Sequence, residues 1–502
     1  MAGFFKKLKQ RIFYEKSDQK PSIRPGDIPD GNAAIPKFTL PPRDEAPQQA
    51  ERDAYFVQIG LDFGTSFTKV VCRDIMIDKP WVYMPDYPCD PELPFLISST
   101  VCFNDGRFSH PKRLDGAYTS TSLVHVKMAL QCVGAADTTN KHLDGYRALV
   151  PEGLDLSTFV EASCIYLLAG IMGEVKGAIR SRFTGSVEGD QIHVNMAVPV
   201  ASADDDRVGE LFERVLRLSW SMADEMTGHP ECLLQEVIDS IARHEANAAS
   251  ESVKEICFIY PEVSANVQGF IRSRSSQPGL YLFCDTGAGT VDQSLFQFSR
   301  KNSGDEYLIY LSAQVLPIGS CRIEELALEY SPEQGWKALE EFRRFKESGA
   351  NDPHLQKARY AIGNELEKRT NQTIALGKKK LTSPKSINEL RVIFGGGGHC
   401  TDPYKIGVMK QFDSTIFRNE LIAQRRRAEP NFDRGMPDLR TEFNLKPGQE
   451  RWSRRLSVAY GLSFAKIDLA AFRLPKDVST PSEDEIVKKR AVTAHAPTKD
   501  DC

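Results

Sequence analysis

Two aspartates that bracket a glycine turn are the first residues in this chain that suggest chemistry. Asp285 and Asp292 enclose Thr-Gly287-Ala288-Gly289-Thr290 within Tyr281-Leu-Phe-Cys-Asp-Thr-Gly-Ala-Gly-Thr-Val-Asp292. A second stretch, Val57-Gln-Ile-Gly-Leu-Asp-Phe-Gly-Thr-Ser-Phe-Thr-Lys-Val-Val71, sets Asp62 before Gly64, Thr65, Ser66 and Lys69 in the same manner. Glycine tolerates positive φ and lets an oxyanion approach the main chain, and the hydroxyls of Thr65, Ser66 and Thr290 add donors at the same place. Phosphate is the guest this chemistry suits. Asp62, Asp285 and Asp292 repel phosphate, so beside an anion cradle they imply a hydrated Mg²⁺, held through water by Asp62 and Asp285, because that ion keeps several waters and takes few carboxylates.

Such groups must be delivered by tight hairpins. In both stretches β-formers lead into Asp-x-Gly and a new apolar run follows at once, the pattern of two strands with glycine at the tip. Two hairpins facing one another would clamp a metal–nucleotide. A third cluster, Val392-Ile-Phe-Gly395-Gly396-Gly397-Gly398, again follows an apolar strand and precedes a helical pattern, where a nucleoside could lie against bare backbone. Each Asp-x-Gly turn taken singly also fits a plain hairpin; the order of the three clusters is what points to a nucleotide.

In that order the chain resembles the superfamily that joins actin, hexokinase and the heat-shock ATPases, through its phosphate-one, phosphate-two and adenosine motifs. Within it, the stretch from Phe56 to Ala470 is most similar to the nucleotide-binding domain of DnaK-type chaperones. The resemblance implies an α/β, two-lobed actin-like ATPase fold of duplicated ribonuclease-H-like domains, with ATP or ADP and Mg²⁺ in a central cleft. It implies that Lys127, in Ser122-Leu-Val-His-Val-Lys-Met-Ala-Leu130, is the lysine sent to the γ-phosphate, where it would neutralise charge on the transferring phosphoryl. Glu262, in Ile256-Cys-Phe-Ile-Tyr-Pro-Glu-Val-Ser-Ala-Asn266, matches the glutamate that reaches Mg²⁺ through water, although here proline precedes it. Asp285 and Asp292 would flank the γ-phosphate and its lytic water. Ala288 replaces a glycine of the chaperone pattern but leaves the backbone donors in place. Val315-Leu-Pro-Ile-Gly319-Ser320 resembles the next phosphate-side element, and a charged helix at His354–Asn371, with Glu365, Glu367, Lys368 and Arg369, falls in the order where the chaperones contact adenine, although such a charge run reads by default as an exposed amphipathic helix and base specificity stays open. Ser457-Val-Ala-Tyr-Gly-Leu-Ser-Phe-Ala465 is similar to the helix that closes their ATPase domain.

The composition suits this reading. The chain has 502 residues, 41% hydrophobic, with a net charge of −4, enough for two lobes and with no global affinity for nucleic acid. An arginine-rich segment (Arg425, Arg426, Arg427, Arg434, Arg440, Arg451, Arg454, Arg455) is diluted by acids and reads as a solvated surface. Eleven scattered cysteines without Cys-x-x-Cys read as reduced thiols, and no apolar run approaches the ~18 residues of a membrane span, so a cytoplasmic location is expected. Residues 3–14 pattern as an amphipathic helix, Phe5, Leu8 and Ile12 against Lys6, Lys9 and Arg11, able to touch the inner membrane face. The expected organisation is an amphipathic basic helix (1–16), a proline-rich linker (17–54), lobe I (55–270), lobe II (271–470) and a disordered tail (471–502) too short for a chaperone's peptide-binding domain. Three functions follow: a slowly hydrolysing chaperone-like ATP switch read by a protein partner or co-chaperone, a membrane-tethered polymerising actin-like ATPase, and a small-molecule kinase of the hexokinase branch.

Overall fold

In the computed structural model the β-formers around Gly64 pair as a hairpin: β1 (Phe56–Asp62) runs antiparallel to β2 (Phe67–Asp74), with Asp62 opposite Lys69. The structure describes residues 52–86, 88–90, 93–111, 121–272, 276–300, 305–381, 390–398, 403–410 and 450–481. The chain divides into two units, Met1–Arg52 and Asp53–Cys502, and all described elements belong to the second. The amphipathic segment 1–16, the tether over 17–51, the arginines from 425 to 440 and the tail beyond 481 lie outside the described residues.

β1 and β2 are joined in one sheet by β3 (Lys79–Val82), β4 (Ile97–Ser98), β8 (Gln191–Val198) and β10 (Cys257–Pro261), in the order β10-β8-β1-β2-β3 with β4 also on β2. β8 lies parallel to β1, and β10 parallel to β8. A small antiparallel sheet, β7 (Ser122–Leu123), β5 (Val101–Asn104), β6 (Arg107–Ser109) and β9 (Glu231–Leu233), contains an Asn-Asp-Gly hairpin, with positive φ at Asp105 and Gly106 as a type I′ turn requires. The other large sheet has the order β14 (Arg391–Gly395), β11 (Gly279–Thr286), β12 (Val291–Arg300), β13 (Glu306–Leu316), β15 (Ala471–Arg473). The two large sheets share one pattern: an antiparallel hairpin, a third antiparallel strand beyond it, and a parallel strand on its other side. β1 and β11 are buried at nearly every position, as strands covered on both faces must be.

Helices supply that cover. Leu156–Arg182 packs against Asp206–Met226, and each is capped by an aspartate whose side chain accepts N–H bonds of the first turn. The cap of the first is Asp155, whose carboxylate accepts from the amides of both Ser157 and Thr158. Leu156–Arg182 is also the one described helix long and apolar enough to cross a membrane, at variance with the expectation of none. Most of it is buried in the first core, which explains its apolar character without a bilayer.

Two expected boundaries shift. Helix Glu450–Leu462, placed with lobe II by sequence order, packs on β1, β2 and β8 of the first sheet. There Asn195 Nδ2 donates to the carbonyls of Leu462 and Phe464 at 2.8 and 3.0 Å. The expected tail from 471 begins inside the fold, since β15 pairs in parallel with Tyr307–Ile309 and the Lys476 amide donates to Asp204.

Candidate functional site

The two hairpin tips meet. A Cβ built on Gly289 would lie 2.6 Å from Thr65 Cγ2, so the tip of one hairpin is seated on the tip of the other. The carbonyls of Gly287, Ala288 and Gly289 accept from the amides of Ser320, Cys321 and Gly319 at 3.0, 2.8 and 3.1 Å. With its carbonyls turned into that bracket, the tip leaves the amides of Ala288, Gly289 and Thr290 without an acceptor among the described residues, as are those of Thr65 and Ser66. Successive free amides of this kind form an anion-binding concavity.

A cavity of about 610 Å³ opens at this junction, within the size range of small-molecule and cofactor sites. Asp62, Gly64, Thr65, Ser66, Lys69, Lys127, Glu262, Asp285, Gly287, Ala288, Thr290, Asp292, Gly396, Gly397 and Gly398 all line it. Gly289 packs on Thr65, Gly319 sits behind the second tip, and Gly395 ends β14 beside Asp285; these three support the cavity and do not line it. Gly396 has φ 74°, and a Cβ there would fall 2.2 Å from Asp285 Oδ1, so both its backbone and its neighbour require glycine.

Register explains the charges. Asp62 and Lys69 face each other across the first hairpin, and Lys69 Nζ donates to Asp62 Oδ2 at 2.5 Å. Across the second, Asp285 faces Asp292, a like-charged pair that costs stability and that packing alone would not select. Thr290 Oγ1 donates to Asp292 Oδ2 at 3.0 Å, while the buried Asp292 Oδ1 has no partner. Lys127 comes from the first turn of helix Val126–Gly134, which His125 enters in a left-handed conformation (φ 56°). Lys127 Nζ donates to Glu262 Oε2 at 2.8 Å, and Glu262 opens helix Glu262–Asn266 directly after Pro261, whose fixed φ suits the turn from strand into helix.

Burial dominates the titration of this cluster. It raises Asp62 above the ordinary carboxylate range, against the pull of Lys69. Asp285 is pushed well above that range by burial and then by Glu262, Asp292 and Asp62, with Asn266 opposing. Asp292 rises to about 7 by burial and then Glu262. For Lys127, burial favours the neutral amine, but Glu262, Asp292 and Asp62 together outweigh it and hold the ammonium. Four carboxylates thus share a buried space with two lysines. Perturbed groups gathered in a cavity are what a binding or catalytic site requires and a core avoids.

This donor set fits a hydrated divalent cation. Asp292 Oδ1 is a buried acceptor without a donor, and the acids outnumber the lysines, both of which suit a cation that keeps its waters.

The charged helix that falls at the adenine position of the resemblance does not line the cavity. Glu365 and Arg369 form an exposed ion pair one helical turn apart on Pro353–Lys378, and neither they nor Glu367 and Lys368 line it. Glu324 and, from helix Trp336–Ser348, Glu340, Arg343 and Lys346 do line it. Lys346 Nζ donates to Ser320 O at 3.0 Å and to the buried Glu324, which also accepts from Arg343 Nε at 3.4 Å. The three-residue spacing of Glu340, Arg343 and Lys346 was the available signal, since it sets all three along one helix face. Arg455 and Asn266 also line the cavity. No protein-family model and no curated protein matches this chain.

Proposed function

We propose that this chain is a Mg-ATP-binding, slowly hydrolysing conformational switch of the two-lobed actin-like ATPase fold, whose lobes engage a protein partner. The observation that carries the reading is the pair of opposed hairpin tips, with free amides on the cavity-lining Thr65, Ser66, Ala288 and Thr290 beside buried acids and lysines. The shared strand pattern of the two large sheets and the sequence resemblance support it further.

In this reading the tip amides bind the phosphate chain, and Lys127, kept cationic by Glu262, offsets charge on the γ-phosphoryl as it transfers. Bound Mg²⁺, held through water by Asp62 and Asp285, would supply charge neutralisation on the phosphate oxygens. Asp285 and Asp292 hold the attacking water: its oxygen bonds to phosphorus, the bond to the ADP oxygen breaks, and its proton passes to a carboxylate whose proton affinity burial has raised. Phosphate release then removes the ligand shared by the two tips, and the lobes part.

The test is ATP turnover over a wide protein concentration range, with sedimentation in parallel. Slow turnover independent of concentration, without pelleting, is expected of the switch; turnover that climbs above a critical concentration, with pelleting, would replace it by a polymerising ATPase. Asp285→Asn should fold and bind ADP yet lose turnover, and surviving turnover would refute the catalytic assignment.

A further inference from the structure

We propose that Asn266 is the residue that positions Asp285, fixing its carboxylate in the cavity relative to Lys127. The inference rests on the nucleotide-switch reading above. Asn266 is 1% exposed, and its Nδ2 donates to Asp285 Oδ2 at 2.8 Å. Its Oδ1 is buried without a partner, so the amide's one described side-chain bond is spent on that carboxylate. A buried amide left half-satisfied is costly, and a purely structural position would be filled more cheaply by an apolar side chain.

The surroundings allow the carboxylate little freedom. On the Oδ1 side, Gly396 supplies the space that any Cβ would fill at 2.2 Å. On the amide side, a Cβ on Gly395 would fall 2.9 Å from Asn266 Nδ2 and 2.6 Å from Phe283 Cζ. Asp285 is therefore held in a slot between glycine backbone and the Asn266 amide.

The amide also joins two parts of the site. Glu262 and Asn266 stand four residues apart on helix Glu262–Asn266 and so share a face. Through Glu262 this turn holds Lys127 at 2.8 Å, and through Asn266 it holds Asp285 at 2.8 Å. Helix Glu262–Asn266 follows β10 of the first large sheet, whereas Asp285 ends β11 of the other. One turn of helix thus sets the separation of a cation and a carboxylate that come from different sheets.

The experiment uses the full chain as Asn266→Ala, as the isosteric Asn266→Asp and as Asn266→Ser, which keeps a donor. The readouts are kcat and KM for Mg-ATP, ADP affinity by calorimetry, and Tm. Loss of a hydrogen bond to a charged group predicts a fall in kcat of about tenfold to a hundredfold for Ala. Asn266→Asp should fall further, because a donor becomes a like charge, and Asn266→Ser should recover part of the loss. ADP affinity should stay within about threefold of wild type throughout, as expected when only transition-state contacts are lost. If Asn266 merely fills space, the isosteric Asp variant will keep wild-type kcat while Ala loses kcat in step with Tm, and the proposal is overturned. Equal losses of kcat and ADP affinity overturn it as well. A wild-type protein that binds no nucleotide refutes the underlying reading, and the inference falls with it.

Discussion

Replacing Asp292 by asparagine should stabilise the ligand-free protein at mildly alkaline pH and fail to do so in acid. Asp292 lies opposite Asp285 across the β11–β12 hairpin, is 6% exposed, and has a partner only on Oδ2. Burial, and then Glu262, raise its pKa from 3.8 to about 7. Because the folded state binds this proton more tightly than the unfolded chain, stability falls as pH rises between those two values. The loss is small below about pH 4 and complete above about pH 7, where it amounts to about 4 kcal/mol at ~1.4 kcal/mol per pH unit. Asparagine removes that loss and keeps an oxygen for Thr290. It also sets an amide N–H where Oδ1 has no partner, at a cost of about 1–2 kcal/mol. The net expectation is a gain of about 2–3 kcal/mol near pH 8, turning into a loss of about 1–2 kcal/mol near pH 4. Urea unfolding of both proteins in chelator, at pH steps across this range, measures the difference directly. A difference that does not change with pH, or an Asp292→Asn protein less stable than wild type near pH 8, would refute the description of Asp292 as a buried, under-compensated acid.

Removing a cation from the same cluster should act in the opposite sense. Lys127→Met leaves Glu262 and its neighbouring acids uncompensated, and should cost about 3 kcal/mol of stability and at least about a hundredfold in kcat; unchanged unfolding would mean that the Lys127–Glu262 pair carries no load. Gly461→Ala tests packing: the added Cβ would lie 1.8 Å from Ala265 O, where helix Glu450–Leu462 crosses Glu262–Asn266, so Tm should drop by several degrees, about 2–3 kcal/mol of overpacking, and an undiminished Tm would place that helix elsewhere. Deleting residues 1–20 should leave ATP turnover intact while abolishing recruitment to anionic liposomes, and recruitment that persists would retire the amphipathic segment as an anchor.

The chain alone carried the local half of this account. Asp62, Gly64, Asp285, Gly287 and Asp292 announce two hairpins because turn chemistry is local: alternating strand formers and a glycine tip determine register, and register puts Asp62 opposite Lys69 and Asp285 opposite Asp292. Lys127 and Glu262 were reachable only through resemblance, since a lysine in a helix and a glutamate after a proline carry no signal of their own. What the tertiary structure alone decided is which distant segments close the cavity. Helix Trp336–Ser348, and not Pro353–Lys378, lines the cavity, through Glu340, Arg343 and Lys346; Glu450–Leu462 returns to the first sheet; and Asn266, on the helix after β10, meets Asp285 of the other sheet. Helix Trp336–Ser348 is the more strongly amphipathic of the two, but helical periodicity fixes which residues share a face without fixing what that face meets. That choice depends on the packing of sheets built from strands hundreds of residues apart, and there the buried acids acquire the raised proton affinities that no sequence window contains.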